Sequence, residues 1–291
     1  MTPLDRDAVR RAFARAATRY ESAAALQRTV EDRLIENLDR LAAPPARVLD
    51  LGAGPGRASA ILKRRYPKAE VVALDAALPM LAAASRRAGW WRPFRRVGGE
   101  AEQLPFVDAA FDLVFSSLCL QWCAELTLVF DELRRVMRPG ALLLVSTFGP
   151  ETLIELREAW AAGDGAAHVN RFVDIATFGD ALIAAGFRDP VLDRERLVAT
   201  YPDARALMRE LKAIGASNAD ATRRRGLGGK AGLARVVASY EALRRDGVVP
   251  ATWEIIYAQA QAPESSQPRR GRGGELAAFP LEKLRGSRRK R

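Results

Sequence analysis

The chain has little of the residues that build metal or disulfide sites. Among its 291 residues, Cys119 and Cys123 are the only cysteines, and there is a single histidine. Two cysteines four positions apart in an apolar segment match neither a disulfide framework nor a zinc site. No apolar run is long enough to cross a bilayer, and the N-terminal stretch lacks the apolar core of a signal peptide. These absences predict a cytoplasmic protein with no metal and no membrane partner.

Acidic residues are also few relative to basic ones, which gives a formal net charge of +11. After Pro263 the chain carries nine basic and three acidic residues in a stretch rich in proline, glycine and serine. This composition predicts a disordered tail over residues 263–291. The tail lacks the aromatic stacking pattern of a nucleic-acid-binding module. We therefore expect no nucleic-acid partner, although binding through the basic tail remains the alternative from a different functional class.

The most informative stretch is residues 48–56, which read VLDLGAGPG and precede a helical pattern over residues 58–66. A strand, a glycine-rich turn and a helix open an α/β nucleotide-binding unit, with Asp50 near the carboxyl end of the strand where ligands bind. The dinucleotide fingerprint needs a glycine where Arg57 stands, and the P-loop ending is absent. Glycines in this turn allow the backbone to approach a ligand closely. The candidate ligand-binding residues are Asp50, Gly52, Ala53, Gly54 and Gly56.

A second strand is predicted over residues 70–75, and it ends in Asp75, which lies 21 positions beyond Gly54. An acidic residue there can accept hydrogen bonds from both ribose hydroxyls. Ala76 follows it, and Met80 opens the next helix, where its side chain can pack on an adenine face. A third strand around residues 96–99 leads to Glu100 and Ala101, and residues 109–117 supply the fourth strand. Further strands are predicted over residues 141–147, 191–200 and 252–261, and further helices over residues 132–140, 150–162, 175–185, 204–215 and 233–245.

Three of these stretches resemble motifs of the class I S-adenosylmethionine-dependent methyltransferases: residues 48–56, residues 99–106 (GEAEQLPF) and residues 111–117 (FDLVFSS). The resemblance implies a Rossmann-like α/β fold with a mostly parallel seven-stranded sheet, helices on both faces and a helical N-terminal lid. It also implies that Glu100, which replaces the usual aspartate, and the backbone of Ala101 contact adenine. Ser116 would contact the cofactor, and Leu118, which follows the fourth strand, would contact it near the transferred methyl group. In the lid, Tyr20 and Gln27 match the family's pattern.

The remaining stretches resemble one family more specifically, the malonyl-acyl-carrier-protein O-methyltransferases of biotin synthesis. The resemblance runs from about residue 5 to residue 262. It implies one methyltransferase domain over residues 1–262, with the lid at 1–45 and a helical insertion at 201–247. We also expect a monomer. The matching stretches are residues 13–20 with Gln27, and residues 120–123, 155–160, 168–172 and 208–216.

This family resemblance implies methyl transfer to the free carboxylate of a malonyl thioester on acyl carrier protein, which gives the ester that primes pimeloyl formation. Such a carboxylate is already ionised at pH 7, so the reaction needs positioning and no strong base. Arg171 is the candidate that orients the carboxylate, because a guanidinium binds it bidentately. Tyr20 is a second donor, and His168 is expected to be structural. Basic residues predicted to dock the acidic carrier protein are Arg209, Lys212 and Arg223, Arg224 and Arg225.

Three readings within the same fold remain open at this point. The chain can be a methyltransferase for another carboxylate, such as aconitate, or for a quinone-ring carbon. It can also be a relative without methyl transfer that serves in hydroxylation or in the assembly of a respiratory complex. The sequence does not distinguish malonyl-acyl carrier protein from malonyl-CoA as the acceptor.

Overall fold

A computed structural model describes residues 4–41, 43–90, 93–163, 168–216, 218–219, 230–264, 269–271 and 274–276. The docking candidates Arg223, Arg224 and Arg225 lie outside these residues, and so does most of the predicted tail. Within the tail, residues 269–271 and 274–276 pair as two short antiparallel strands. The prediction of disorder for the rest of the tail stays a prediction.

The core of the molecule is one seven-stranded sheet, as the sequence predicts. Its strand order is β3-β2-β1-β4-β5-β7-β6, in which β7 is antiparallel to both of its neighbours and the other pairs are parallel. The strands are β1 (Arg47–Leu51), β2 (Glu70–Asp75), β3 (Arg95–Gly98), β4 (Phe111–Ser117), β5 (Met137–Phe148), β6 (Arg188–Tyr201) and β7 (Val249–Gln261).

Helices cover both faces of the sheet, because its central strands are apolar on both sides. One apolar cluster joins the sheet to α3, α4 and α5, and a second joins its other face to α6 and α8. The helices are α1 (Arg6–Ala16), α2 (Tyr20–Ala23), α3 (Ala25–Glu36), α4 (Arg57–Arg65), α5 (Leu78–Ala88), α6 (Leu126–Val136), α7 (Ile154–Gly163), α8 (Ile175–Ala184), α9 (Ala204–Ala213) and α10 (Lys230–Glu241), with 3₁₀ turns at Asn37–Arg40 and Leu120–Trp122.

The strand order places a ligand site at one edge of the sheet. From β1 the chain continues to β2 on one side, whereas β4 pairs with β1 on the other side. In open α/β sheets a ligand binds outside the carboxyl ends of the strands where the order reverses. The glycine turn after β1 lies at this point. None of the helices described crosses a membrane, since each is too short or too polar to do so.

The structure differs from the sequence prediction at the helix before β5. The predicted helix over residues 132–140 ends at Val136, because Met137 already pairs with Phe111 in the sheet. The Pro139-Gly140 pair therefore lies inside the long fifth strand rather than at the end of the helix. The helix predicted over residues 150–162 begins at Ile154, after a turn.

The N-terminal helices cover the carboxyl edge. Asp5 caps α1 by accepting a hydrogen bond from the backbone N–H of Ala8 at 2.9 Å. The buried face of α1, with Ala16, packs against Met80 on α5. The segment predicted as an N-terminal lid is helical, and it lies over the glycine turn. Between β6 and β7 the chain forms α9 and α10, and α10 packs on α7.

Candidate active site

Two adjoining cavities lie beneath the N-terminal helices at the carboxyl edge. They contain about 850 Å³ and 700 Å³ of empty space, including their open mouths. The cavities share four lining residues, so they form one groove that passes under the lid. The shared residues are Tyr20, Gly52, Gly54 and Ser117.

Asp75 organises the first cavity. Its Oδ2 accepts a hydrogen bond from the backbone N–H of Gly54 at 2.8 Å, and its Oδ1 accepts one from Ala77 at 2.7 Å. Burial raises the pKa of Asp75 to about 6, although these two backbone hydrogen bonds act in the opposite direction. Each carboxylate oxygen keeps a lone pair for a ligand hydroxyl. Asp75 and Gly54, which are 21 positions apart in the sequence, are therefore in direct contact.

The other candidates near Asp75 line the same cavity: Ala76, Met80, Glu100 and Ala101. Met80 is buried against α1. The carboxylate of Glu100 is 3.8 Å from the guanidinium of Arg10, and Glu102 pairs with Arg6 at 2.6 Å. Two arginines of α1 thus reach the acidic loop after β3 and connect the lid to the wall of the cavity.

The second cavity presents acceptor groups. Three residues predicted to bind the cofactor, Gln27, Asp50 and Ala53, line it. The Oε1 atom of Gln27 is buried and has no hydrogen-bond partner among the described residues. Asp50 accepts a hydrogen bond from Ser59, and burial raises its pKa to about 7. An unpaired amide oxygen beside a buried carboxylate suits a ligand that carries a cationic, hydrogen-donating group.

The glycine turn leaves space for a ligand beside these acceptors. Gly54 has a φ of +53°, and a Cβ added there would meet no described atom within 4 Å, so it would project into open space. Gly52 has a φ of +73°, and an added Cβ would come within 2.5 Å of the Cβ of Cys119. The turn therefore opens toward the groove at Gly54 and packs closely at Gly52. Together with the free oxygen of Gln27 and the lone pairs of Asp75, this geometry fits an adenosyl cofactor with a cationic amino-acid end.

Two of the residues predicted to bind the cofactor lie outside the groove. Gly56 lines neither cavity, since a Cβ on it would be 2.8 Å from the Cβ of Ala84, and its role is close packing between the turn and α5. The hydroxyl of Ser116 is buried and donates to the carbonyl oxygen of Leu51. Side chains alternate along a strand, and Ser117 is the serine of β4 that lines both cavities.

Leu118 lies at the wall of the first cavity, where the resemblance places the methyl end. Its φ is +50°, which is uncommon for a branched side chain. Its backbone N–H donates to the carbonyl oxygen of Ser146 at 3.0 Å, which holds it in this conformation. Strained residues of this kind concentrate at ligand sites.

The two residues predicted to orient the acceptor occupy different places. Tyr20 lines both cavities, and burial, followed by the negative charges of Glu31 and Asp75, raises the pKa of its hydroxyl. The hydroxyl is thus a proton donor at physiological pH. Arg171 lines neither cavity and is exposed on the loop before α8. Its neighbour Phe172 packs on Phe148 with 5.5 Å between ring centroids.

His168 stacks on Trp160 with 3.6 Å between ring centroids. That contact agrees with the structural place expected for this residue, outside the lining of both cavities.

Several residues of the groove are not among those predicted from the sequence. Phe13 and Cys119 line the first cavity, and Glu31 and Arg57 line the second, where they form an ion pair at 2.5 Å. Arg57, the residue that breaks the dinucleotide fingerprint, joins the glycine turn to α3. Helical spacing placed Phe13 on the same face as Tyr20, which is a signal available from the sequence. The pairing of Arg57 with Glu31 has no such signal.

We expect replacement of Asp50 by asparagine to stabilise the ligand-free protein at pH 8 and to weaken cofactor binding. A carboxyl whose pKa is about 7 when folded and 3.8 otherwise holds its proton more tightly in the folded state. Stability from this group is therefore full below about pH 4 and is lost as pH rises to about 7. Between pH 5 and pH 8, the thermal unfolding midpoint should fall by a few degrees less for Asp50→Asn than for the wild type. An unchanged decline would contradict this pKa.

The chain matches known proteins along nearly its whole length. Residues 49–145 match the family profile described as a methyltransferase domain. The malonyl-[acyl-carrier protein] O-methyltransferase of Xylella fastidiosa is 49% identical over 278 residues, which cover 95% of this chain and 94% of the relative. The enzyme of the same name from Halorhodospira halophila is 49% identical over 275 residues, which cover 94% and 93% of the two chains.

Solved structures support the fold. A proposed methyltransferase from Bacillus halodurans superposes with a TM-score of 0.55 at 20% identity, covering 81% of this chain and 99% of that chain. The [4+2]-cyclase SpnF superposes with a TM-score of 0.52 at 20% identity, covering 81% and 82%. A cyclase among these neighbours shows that the fold alone does not fix the reaction. The sequence identity over nearly the full length does decide the family: this chain belongs to the malonyl-[acyl-carrier protein] O-methyltransferases.

Proposed function

We propose that this protein transfers the methyl group of S-adenosylmethionine to the free carboxylate of a malonyl thioester on acyl carrier protein. Identity of 49% to relatives of that name supports the reaction. The structural observation that carries the proposal is the groove itself, in which a protonated tyrosine borders acceptor groups suited to a cationic cofactor. No metal-binding cluster of histidine, cysteine or carboxylate side chains occurs within the described residues, and the proposed chemistry uses none.

Different residues of the groove would contact different parts of the proposed cofactor. Asp75 would accept the ribose hydroxyls, and Glu100, Ala101 and Met80 would surround the adenine. Gln27 and Asp50 would accept hydrogen bonds from the ammonium group of the methionine end, which the open space at Gly54 admits. When bound, the cofactor supplies an electrophilic methyl group on a positively charged sulfur.

The protein's own groups then have to position the acceptor. A malonyl carboxylate has a pKa near ~4 and is ionised at pH 7, so no residue has to remove a proton. Tyr20 keeps its proton and can donate a hydrogen bond at the point where the two cavities meet. Leu118 and the lid helices exclude water from the same region. Positioning of this kind supplies the rate enhancement in a displacement that needs no general base.

The carrier protein would dock beside the lid. Arg209 and Lys212 are exposed on α9, which contacts the short helix that begins at Tyr20. These basic side chains face solvent at the side of the groove, where an acidic partner would be attracted to them. Arg171 lies on the loop that leads away from α7.

The proposal is tested by incubating the purified protein with methyl-labelled S-adenosylmethionine and one of three acceptors: malonyl-acyl carrier protein, malonyl-CoA or aconitate. We expect base-labile label on the malonyl carrier protein. We expect Tyr20→Phe to lower kcat by about 10-fold to 100-fold without loss of cofactor binding, because one donated hydrogen bond is removed.

Label on aconitate alone would favour the other carboxylate methyltransferase. Cofactor binding without label on any acceptor would indicate a protein of the same fold that has lost methyl transfer. A variant that ends at residue 262 tests whether the tail binds nucleic acid. If the tail does, polyanion binding should disappear in this variant while cofactor binding remains.

A further inference from the structure

Two guanidinium groups lie at the carboxyl edge of the sheet, beyond the end of β5. Arg157 donates from Nη2 to the carbonyl oxygens of Pro150 at 2.9 Å and Thr152 at 2.8 Å. These bonds fix it against the turn that follows Phe148, the last residue of β5. Arg171 comes to the same place from the loop after α7, because the adjacent Phe172 packs on Phe148.

Within the described part of the chain, no carboxylate forms a salt bridge with Arg157 or Arg171. The Nε atom of Arg157 is buried and donates to no described group. Burial, followed by the positive charge of Arg171, lowers the pKa of Arg157, while the exposed Glu158 acts weakly in the other direction. Two like charges beside a buried, unused donor form an arrangement that a bound anion would satisfy.

The position of the pair is linked to the groove and to the lid. Val169 and Phe172, on either side of Arg171, pack in the apolar cluster that contains Leu118 of the first cavity. The side-chain oxygen of Asn170 accepts a hydrogen bond from the backbone N–H of Ala219 at 3.2 Å. The carbonyl oxygen of Ala219 in turn accepts one from the backbone N–H of Asp5 at 2.9 Å, at the start of the lid.

We propose that Arg157 and Arg171 together form the site that recognises the free carboxylate of the acyl acceptor and rejects its methyl ester. This inference rests on the proposed function and adds Arg157 as a residue that determines specificity. Arg157 contributes its buried Nε–H and holds a fixed position, and Arg171 contributes an exposed guanidinium that closes on the anion. Methylation removes the negative charge, so the site binds the methyl ester product more weakly than the acid substrate.

The experiment compares binding of the acid with binding of its ester. The protein, saturated with S-adenosylhomocysteine, is titrated by calorimetry with malonyl-acyl carrier protein and with the monomethyl ester of the same carrier. We expect the wild type to bind the acid about 100-fold more tightly, since two charge-assisted hydrogen bonds are lost in the ester. Arg157→Gln and Arg171→Gln should each reduce this preference about tenfold, and their effects should not be additive because they share one anion.

Two further variants serve as controls. Arg196 pairs with Glu151 at 3.6 Å near the same edge, so Arg196→Gln removes an equal charge that is already neutralised and should leave the preference unchanged. Arg157→Lys keeps the charge but lacks the Nε–H, so an intermediate preference is expected. Affinity for S-adenosylhomocysteine and the thermal unfolding midpoint check that each variant is folded.

The outcomes separate this inference from the proposed function. If the wild type prefers the acid and both glutamine variants keep that preference, another group recognises the carboxylate and the inference is wrong. Equal binding of acid and ester by the wild type would also overturn the inference. A wild type that binds the cofactor but neither carrier form would instead refute the proposed function. If Arg157→Gln does not fold, the exposed Arg171→Gln still decides the result.

Discussion

Replacement of Asp75 by asparagine is expected to weaken binding of S-adenosylmethionine by about 100-fold or more. The side chain would lose two charge-assisted hydrogen bonds to the ribose, each of which contributes about 1.5 kcal/mol or more. The new amide group would also face one of the backbone N–H groups of Gly54 and Ala77, which now donate to the two carboxylate oxygens at 2.8 Å and 2.7 Å. Calorimetric titration with the cofactor measures the effect.

The pH dependence of cofactor binding gives a second test of the same carboxyl. Since burial raises its pKa to about 6, the wild type should lose cofactor affinity as pH falls through about 6. Asp75→Asn should lack this loss and keep only the one that protonation of Asp50 causes near pH 7. Asp108→Asn is the matched control, because that carboxylate is 79% exposed, pairs with Arg135 at 3.0 Å and lines neither cavity. A change of less than about fivefold is expected there. Similar losses in both variants would show that Asp75 has no special part in the site.

The sequence predicted the framework of the site because local patterns encode it. An apolar strand followed by alternating glycines identifies the turn after β1, and Asp75 follows at the end of the next strand. In a parallel sheet the ends of adjacent strands lie at the same edge. The contact between Asp75 and Gly54 is therefore fixed by strand order. The mostly parallel seven-stranded sheet and the helices on both of its faces also agree with the prediction.

Errors arose where tertiary contacts override local preference. The Pro139-Gly140 pair is a typical helix end, yet the helix stops at Val136 because the following residues complete the pairing of β5 with β4. Ser116 and Ser117 are equivalent by composition, and only the register of β4 against β1 decides which hydroxyl reaches the groove. Gly56 resembles the other glycines of its turn, but its neighbour is the side chain of Ala84.

The lid shows a further limit of sequence reasoning. Tyr20 and Gln27 were found through a family pattern, and both line the groove. The ion pairs that join the lid to the groove, such as Arg6 with Glu102, connect residues about a hundred positions apart and leave no local pattern. Arg171 was selected for its chemistry alone. Its proximity to Arg157 depends on the packing of the loop after α7 against Phe148, which no local pattern in the sequence indicates.

Replacement of Gly52 by alanine should abolish cofactor binding and destabilise the fold. Its positive φ costs a side chain about 1–2 kcal/mol. The added Cβ would lie 2.5 Å from the Cβ of Cys119, so that residue would have to move, at a cost of about 1–3 kcal/mol. Gly52 also borders both cavities, so a displaced turn would change the whole groove. Thermal unfolding and calorimetric titration with the cofactor measure both effects.

Gly54→Ala is the matched comparison, because the two glycines share a left-handed conformation and differ in what surrounds them. A Cβ at Gly54 meets no described atom within 4 Å, so stability should fall only by the backbone cost of about 1–2 kcal/mol. Cofactor affinity should nevertheless fall strongly, since the methyl group enters the space proposed for the ligand. Combining Gly52→Ala with Cys119→Gly removes the clash and should recover part of the lost stability. If the double variant is no more stable than Gly52→Ala, close packing against Cys119 is not the reason for glycine at position 52.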